Sequence, residues 1–289
     1  MRLVLGTAQV GLLYGINNQN GQVDKPTAKN ILELAVSKGI ATIDTAISYG
    51  ESETRLGEIG VEEFKIVTKL PVVPKDQENL SGWVEKQVLG SLGRLGVKNL
   101  YGLLLHQPDE LLKPHGNKLY QTLQSLKEIG LVQKIGISIY SPVELEVLST
   151  EYKFDMVQAP LNLLDRRLFT SGWLHRLKQD RTEIHTRSPF LQGLLLMQRS
   201  AIPSKFIIWS TLLDSWHSWL ALNPITAIQA CLAYPLSFPE VDQVVVGVDN
   251  ESQLQQIIEA TEADIAQHDL PNLGCDDERL IDPSNWSFL

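Results

Sequence analysis

Four ionisable side chains lie at or just beyond the ends of consecutive apolar runs in the first 106 residues: Asp44, Tyr49, Lys69 and His106. Carboxylate, phenol, ammonium and imidazole groups are the ones that proteins use to donate and accept protons during a reaction. Each also has an ordinary structural explanation, because an Asp after a strand often caps a helix and a buried His often only satisfies a hydrogen bond. Their shared position beyond neighbouring strands indicates acid–base chemistry.

The elements that carry these residues alternate between short apolar runs and longer amphipathic segments. Eight strands are predicted, at residues 3–6, 41–44, 64–69, 100–106, 134–138, 156–159, 183–187 and 243–246. The intervening helices are predicted at 26–38, 51–59, 80–95, 117–129, 142–148 and 171–179, within 205–222 and 224–234, and at 251–262.

Eight strand–helix repeats predict an α/β fold with a parallel sheet under helices, closed as a single (β/α)8 TIM barrel over residues 1–289. An open doubly wound sheet is the alternative, but no Gly-x-Gly-x-x-Gly follows the first strand. Catalytic groups of a TIM barrel lie at the C-terminal ends of its strands, which is where the four ionisable residues are predicted. Residues 263–289 fall outside the repeats and are expected to form a C-terminal tail that caps one barrel end.

Composition excludes several classes of protein. The 289 residues carry 25 basic against 34 acidic side chains, a net charge of −9 that argues against nucleic-acid binding. No apolar run approaches the roughly 18 residues of a membrane helix, and the first nine residues are too polar for a signal peptide. The two cysteines cannot form a disulfide framework, and no Cys or His spacing indicates a metal site. We therefore expect a cytoplasmic enzyme without metal, a monomer or weak oligomer because a closed barrel has no free sheet edge.

Several segments resemble one known family. Residues 43–50 resemble the Asp-Thr-Ala and Tyr-Gly signature of the aldo-keto reductases, and residues 67–69 look like the family's third-strand lysine. Residues 91–97 with 103–106 are similar to its third helix and fourth strand, and residues 156–158 with 162–167 to its sixth strand and following loop. The resemblance covers residues 3 to about 262.

The resemblance implies NAD(P)(H)-dependent interconversion of a carbonyl compound and an alcohol, with sugars among the candidate substrates. Hydride arriving at a carbonyl carbon leaves charge on the oxygen, so a proton donor must stand beside it; Tyr49 would be that general acid/base. A free Tyr has a pKa of about 10, which a neighbouring Lys69 is expected to lower. Asp44 would hold Lys69 by an ion pair, and His106 would orient the carbonyl.

The resemblance also implies two sets of binding residues. Those implied to contact the substrate are Gln9, Tyr14, Tyr49 and His106. Those implied to hold the dinucleotide are Thr7, Asp44, Ser138, Gln158, Arg187, Ser188, Gly247 and Gln253. Arg187 takes the place of a Tyr that stacks on the nicotinamide in the family, and its planar guanidinium is a candidate to stack there instead.

The segment after the eighth predicted strand differs from that of aldo-keto reductases that prefer NADPH. Residues 247–254 contain no basic side chain where such members present Lys or Arg to the 2′-phosphate, and Asp249 is acidic. The sequence leaves both NADP(H) and NAD(H) open as the cofactor.

Two other functions stay open at this point. One is a Schiff-base lyase or aldolase on the same barrel that uses Lys69 as its nucleophile, although pairing with Asp44 would keep that amine protonated. The other is a module that binds the dinucleotide without turnover. Three tryptophans, Trp209, Trp216 and Trp219, are interpreted as helix packing rather than as walls of a substrate pocket.

Overall fold

The structure is a computed structural model that describes residues 1–18, 21–263, 265–266 and 269–289. Within these residues eight parallel strands are hydrogen-bonded in chain order, and the last pairs with the first to close a barrel. The predicted (β/α)8 barrel is therefore confirmed, and the open sheet is excluded. The strands are β1 (Leu3–Gly6), β2 (Thr42–Asp44), β3 (Lys65–Leu70), β4 (Leu100–Leu105), β5 (Val132–Ser138), β6 (Met156–Pro160), β7 (Glu183–Arg187) and β8 (Gln243–Gly247).

Helices surround the barrel and fill its loops. The α-helices of the described chain are α1 (Ala8–Gly11), α2 (Lys25–Ser37), α3 (Ser52–Ile59), α4 (Leu80–Leu95), α5 (Gly116–Glu128), α6 (Val143–Leu148), α7 (Arg167–Thr170), α8 (Trp173–Gln179), α9 (Ser210–Leu222), α10 (Ala227–Leu236), α11 (Glu251–Ala260) and α12 (Glu278–Ile281). The 3-10 helices are Pro108–Leu112, Leu191–Leu196, Arg199–Ala201, Ser204–Trp209 and Pro283–Phe288. None of the helices described is long and apolar enough to cross a membrane.

The predicted strands agree with the structure to within two residues, while some helix ends differ more. The helix predicted from residue 224 begins three residues later, because Thr226 and Gln229 form a capping box that fixes its start. The short helices α1 and α7 were not predicted. Each is a single turn, too short for an apolar periodicity to show in the sequence.

A small apolar plug fills the inside of the barrel and supports the polar residues beyond it. Val67, Leu104 and Met156 pack together there and are fully buried. Two residues further along β3 and β6 come Lys69 and Gln158, both also buried. The polar residues at the strand ends therefore rest on a dry layer.

The three tryptophans predicted to be packing residues do pack. Trp216 is 1% exposed and donates from Nε1 to the carbonyl of Leu195 at 3.0 Å, while its ring stacks on Trp219 with centroids 5.8 Å apart. Trp209 is buried and donates to Asp277 at 3.1 Å.

The described part of the C-terminal tail lies against loops that follow two neighbouring strands. The amide of Cys275 donates to the carbonyl of Leu164 at 2.8 Å, in the loop after β6. Asp277 accepts from Trp209, which ends a 3-10 helix after β7. These contacts place this part of the tail on the side of the barrel where the strands end.

Glu53 joins two helices and one strand of the barrel through one buried carboxylate. Its oxygens accept from the hydroxyls of Thr68 and Ser91 at 2.7 and 2.5 Å and from two nitrogens of Arg94 at 2.9 and 2.6 Å. The residue is 2% exposed, so α3, β3 and α4 are fastened where water cannot replace the hydrogen bonds.

Substitution Glu53→Ala is expected to lower the free energy of unfolding by about 3 kcal/mol, because it leaves buried hydroxyls and a guanidinium without their acceptor. Urea unfolding followed by far-ultraviolet circular dichroism measures this loss. Glu63→Ala, at an exposed position, is the control and should change the free energy by less than about 0.5 kcal/mol. Equal effects of the two variants would contradict a structural role for the Glu53 contacts.

Candidate active site

A buried ion pair connects the ends of β2 and β3. The Lys69 ammonium donates to Asp44 Oδ1 at 2.6 Å and to the carbonyl of Thr45 at 2.9 Å. The side chains are 1% and 5% exposed, respectively. Burial lowers the pKa of Lys69, and the adjacent Asp44 carboxylate opposes that shift. These two hydrogen bonds to Asp44 and Thr45 hold the Lys69 ammonium in place.

The other oxygen of Asp44 reaches across the barrel to β6. Gln158 donates from Nε2 to Asp44 Oδ2 at 2.7 Å, and Ser138 donates to Gln158 Oε1 at 3.3 Å. On the near side, both the amide and the hydroxyl of Thr7 donate to the Asp44 carbonyl at 3.0 Å. The carboxylate is therefore fixed by partners on β3 and β6, and the backbone of the same residue by Thr7 after β1.

Tyr49 and His106 lie together above the ion pair. Their rings meet edge to face with centroids 5.8 Å apart, and the Lys69 ammonium is 5.2 Å from the centroid of the Tyr49 ring. His106 Nδ1 is 3.0 Å from Ser48 Oγ. Ser48 was missed in the sequence, although it directly precedes Tyr49, because its role depends on a contact with a residue 58 positions away.

The pKa of Tyr49 differs from the sequence expectation. It is raised above its usual value, first by burial and second by the nearby Asp44 carboxylate. The expectation that Lys69 would lower it was wrong, because the raising effects of burial and of Asp44 prevail. The positive charge that does act to lower the pKa of Tyr49 belongs to Arg187.

His106 is a neutral base in this environment. Burial and then the charge of Lys69 lower its pKa to about 4. At neutral pH the ring therefore has one N–H, and if Nδ1 accepts from Ser48, that N–H is at Nε2.

We expect the His106 ring to remain neutral as the pH falls from 7 to 5, and to gain its proton only near pH 4. An NMR titration of the histidine ring protons measures this, with His106→Asn identifying the resonance among six histidines. Because protonation favours the unfolded chain, this group also reduces stability as the pH falls from about 6.5 towards 4. A His106 midpoint near 6.5 would contradict the burial argument.

A cavity of about 360 Å³ opens beside Tyr49 and extends to the start of α11. This volume is in the range of small-molecule sites. Most of the predicted binding residues line it: Thr7, Gln9, Tyr14, Asp44, Tyr49, Gln158, Arg187, Ser188, Gly247 and Gln253. Lys69 and Ser138 lie behind Asp44 and Gln158, and His106 lies beside the Tyr49 ring rather than on the cavity wall.

Arg187 is held in place by its neighbours at the end of β7. Its guanidinium lies 4.6 Å from the centroid of the Tyr140 ring and donates to the carbonyl of Ile139 at 3.0 Å. Ser188 has φ of 60°, and Gln192 in the same loop has φ of 52°. Strained backbone of this kind tends to occur at functional sites, where surrounding contacts maintain it. Tyr140 was not predicted from the sequence.

Two glycines that were not predicted bring the Tyr49 loop against α1. A Cβ on Gly11 would overlap the carbonyl oxygen of Tyr49, and a Cβ on Gly50 would overlap the carbonyl oxygen of Gly11. Gly50 also has φ of +53°. Both positions require glycine because two backbone segments touch there.

Gly11→Ala is expected to displace the Tyr49 loop while leaving the barrel folded, because the new methyl group overlaps backbone rather than a movable side chain. Addition of a dinucleotide to the variant should either no longer change the tryptophan fluorescence or do so with a midpoint concentration at least about tenfold higher. Gly21→Ala, where no heavy atom of the described residues lies within 4 Å of the added Cβ, is the matched control for space, although φ of +83° costs some stability there. Wild-type behaviour of Gly11→Ala would show that the close contact does not position the loop.

Comparison with known proteins assigns this chain to a family. The model of the Aldo/keto reductase family matches residues 2–273, nearly the whole chain. The chain belongs to the aldo-keto reductase family. This family consists of oxidoreductases that act on carbonyl compounds and use NAD(P)H.

Individual relatives are more distant. The chain is 28% identical over 184 residues to a 6-dehydroglucose reductase of Agrobacterium fabrum, a match that covers 57% of this chain and 61% of that protein. It is 23% identical over 280 residues to an uncharacterised oxidoreductase of Bacillus subtilis, covering 90% of both. An aldo-keto reductase from Bacillus halodurans, solved in its holo form, shares the fold with a TM-score of 0.74 and 19% identity, over 96% of this chain and 95% of that one.

Proposed function

We propose that this aldo-keto reductase interconverts a carbonyl compound and an alcohol with NAD(P)(H), and that Tyr49 is its general acid/base. The observation that carries the proposal is the position of Tyr49. It is on the wall of the cavity, next to His106 and directly above the Lys69–Asp44 pair. A substrate carbonyl in the cavity can reach a phenol proton there without reaching the lysine.

The cavity residues fit a dinucleotide. Gln158 presents a fixed amide at the reacting end, and Asp249 at the far end has a buried carboxylate oxygen without a hydrogen-bond partner among the described residues. Amide and carboxylate groups are suited to the nicotinamide amide and to ribose hydroxyls, respectively. When bound, the reduced dinucleotide supplies a hydride to the carbonyl carbon.

The proton chemistry is carried by the chain's own residues. Tyr49 donates its phenolic proton to the carbonyl oxygen as negative charge develops there. Neutral His106, which is partly exposed beside the Tyr49 ring, would donate a hydrogen bond to the same oxygen and thereby orient it. Burial raises the pKa of Tyr49, so the phenol holds its proton at neutral pH and can act as the donor.

Polar groups at the entrance favour a hydroxylated substrate. Gln9, Tyr14 and Asn17 line the cavity, and Gln192 donates to the Tyr14 hydroxyl at 3.4 Å. Amides and hydroxyls of this kind bind polyols through hydrogen bonds. The relative whose name specifies 6-dehydroglucose is in accord with this, and we propose a sugar or similar hydroxylated carbonyl compound as the substrate.

The contacts of Lys69 oppose the Schiff-base alternative. A lysine nucleophile must be neutral and must reach the substrate. Here the ammonium donates to Asp44 and to the Thr45 carbonyl and lies behind the cavity wall.

Tyr49→Phe is expected to lower kcat by at least about a thousandfold, because the proton donor is lost while the ring and its packing remain. The assay follows oxidation of NADH and of NADPH with D-glyceraldehyde and other hydroxylated aldehydes. Dinucleotide affinity, measured by quenching of tryptophan fluorescence, should change less than about threefold.

Tyr120→Phe is the matched control, since its hydroxyl donates to the carbonyl of Lys153 on the outside of the barrel. That variant should retain its turnover. Turnover by Tyr49→Phe at the wild-type rate would remove Tyr49 from the proposed role.

A further inference from the structure

The far end of the cavity is formed by the start of α11 and the loop before it. Asp249, Gln253 and Gln256 line this end. The amide of Asp249 donates to Gln253 Oε1 at 2.8 Å, and Gln253 Nε2 lies 3.5 Å from Asp249 Oδ2. This arrangement holds the aspartate close to the helix and leaves its other oxygen, Oδ1, buried and without a partner in the described chain.

A buried carboxylate oxygen without a partner in the described chain can accept a hydrogen bond from a ligand in the cavity that Asp249 lines. Burial also raises the pKa of Asp249. A ligand hydroxyl that donates to Oδ1 would relieve this, because a buried acceptor without a donor costs about 1–3 kcal/mol. A phosphate group offers only acceptors and negative charge at neutral pH, so it would make the position worse.

The charges around the cavity also disfavour a phosphate at its α11 end. Among its lining residues, all of which are described, Arg187 is the sole basic side chain. It is held at the end of β7 by Tyr140 and the Ile139 carbonyl. A phosphate at the α11 end would therefore meet Asp249 without a lysine or arginine among the lining residues beside it to compensate the repulsion.

We propose that Asp249 selects NAD(H) over NADP(H), by accepting a hydrogen bond from a hydroxyl of the adenosine ribose and by repelling a 2′-phosphate. This inference rests on the proposed function, since a nicotinamide that reacts beside Tyr49 directs the adenosine half towards α11. Gln253 is the positioning residue that keeps Asp249 at the cavity wall.

The first experiment measures the dissociation constants of the wild-type chain for NADH and NADPH by quenching of tryptophan fluorescence, with isothermal titration calorimetry as the second readout. NADH is expected to bind at least about tenfold more tightly. The fragments 5′-AMP and adenosine 2′,5′-bisphosphate, which lack the nicotinamide, should show the same order of affinity. Tighter or equal binding of NADPH and of the bisphosphate would overturn the inference.

Two variants test whether Asp249 is the cause. Asp249→Asn removes the charge and keeps the shape, and Asp249→Ser also makes room for a phosphate. Both should strengthen NADPH binding at least about tenfold. Asp249→Asn keeps an acceptor oxygen and should change NADH binding by no more than a few-fold, whereas Asp249→Ser removes the acceptor for the ribose hydroxyl and should weaken NADH binding. Glu251→Gln is the control, because it removes the same charge from an exposed residue in the first turn of α11, outside the cavity wall.

The outcomes separate this inference from the function on which it rests. If the folded wild-type chain binds neither NADH nor NADPH, the proposed function fails. If it binds both and the Asp249 variants leave their ratio unchanged, or Glu251→Gln changes it equally, the dinucleotide site stands and the selecting role of Asp249 is wrong.

Discussion

The ion pair between Lys69 and Asp44 is the interaction on which the arrangement of the site depends. It places two opposite charges where water is excluded, and removing one partner of such a pair typically costs about 3–5 kcal/mol. The pair is supported by one further hydrogen bond to each group, from Lys69 to the Thr45 carbonyl and from Gln158 to Asp44. Since these partners come from the β2 and β6 sides of the barrel, the closed sheet fixes the pair rigidly.

Burial and this ion pair together determine the electrostatics above it. Burial and then the Asp44 carboxylate raise the pKa of Tyr49, so its phenol stays protonated. Burial and then the Lys69 charge lower the pKa of His106, so its ring stays neutral. A neutral donor and a neutral hydrogen-bonding ring side by side are suited to receiving negative charge on a carbonyl oxygen.

The loops beyond the strands supply further residues of the site. Gly11 and Gly50 allow the Tyr49 loop to touch α1, and the loop after β7 holds Arg187 and strained Ser188 against the cavity. The proposed reaction and the proposed selection of the dinucleotide thus lie at opposite ends of one cavity. The end beside Tyr49 is built on strand ends, whereas the α11 end depends on the contacts between Asp249 and Gln253.

The sequence alone determined the barrel and the order of its strands, because eight repeats of apolar strand and amphipathic helix have few ways to bury both faces of a parallel sheet. It also placed Asp44, Tyr49, Lys69 and His106 at strand ends, since those positions follow directly from the strand boundaries. Only the tertiary structure decided how these groups affect one another. The pKa of Tyr49, the contact of Ser48 with His106 and the open oxygen of Asp249 depend on distances between residues far apart in the chain, and on burial, which no local pattern encodes.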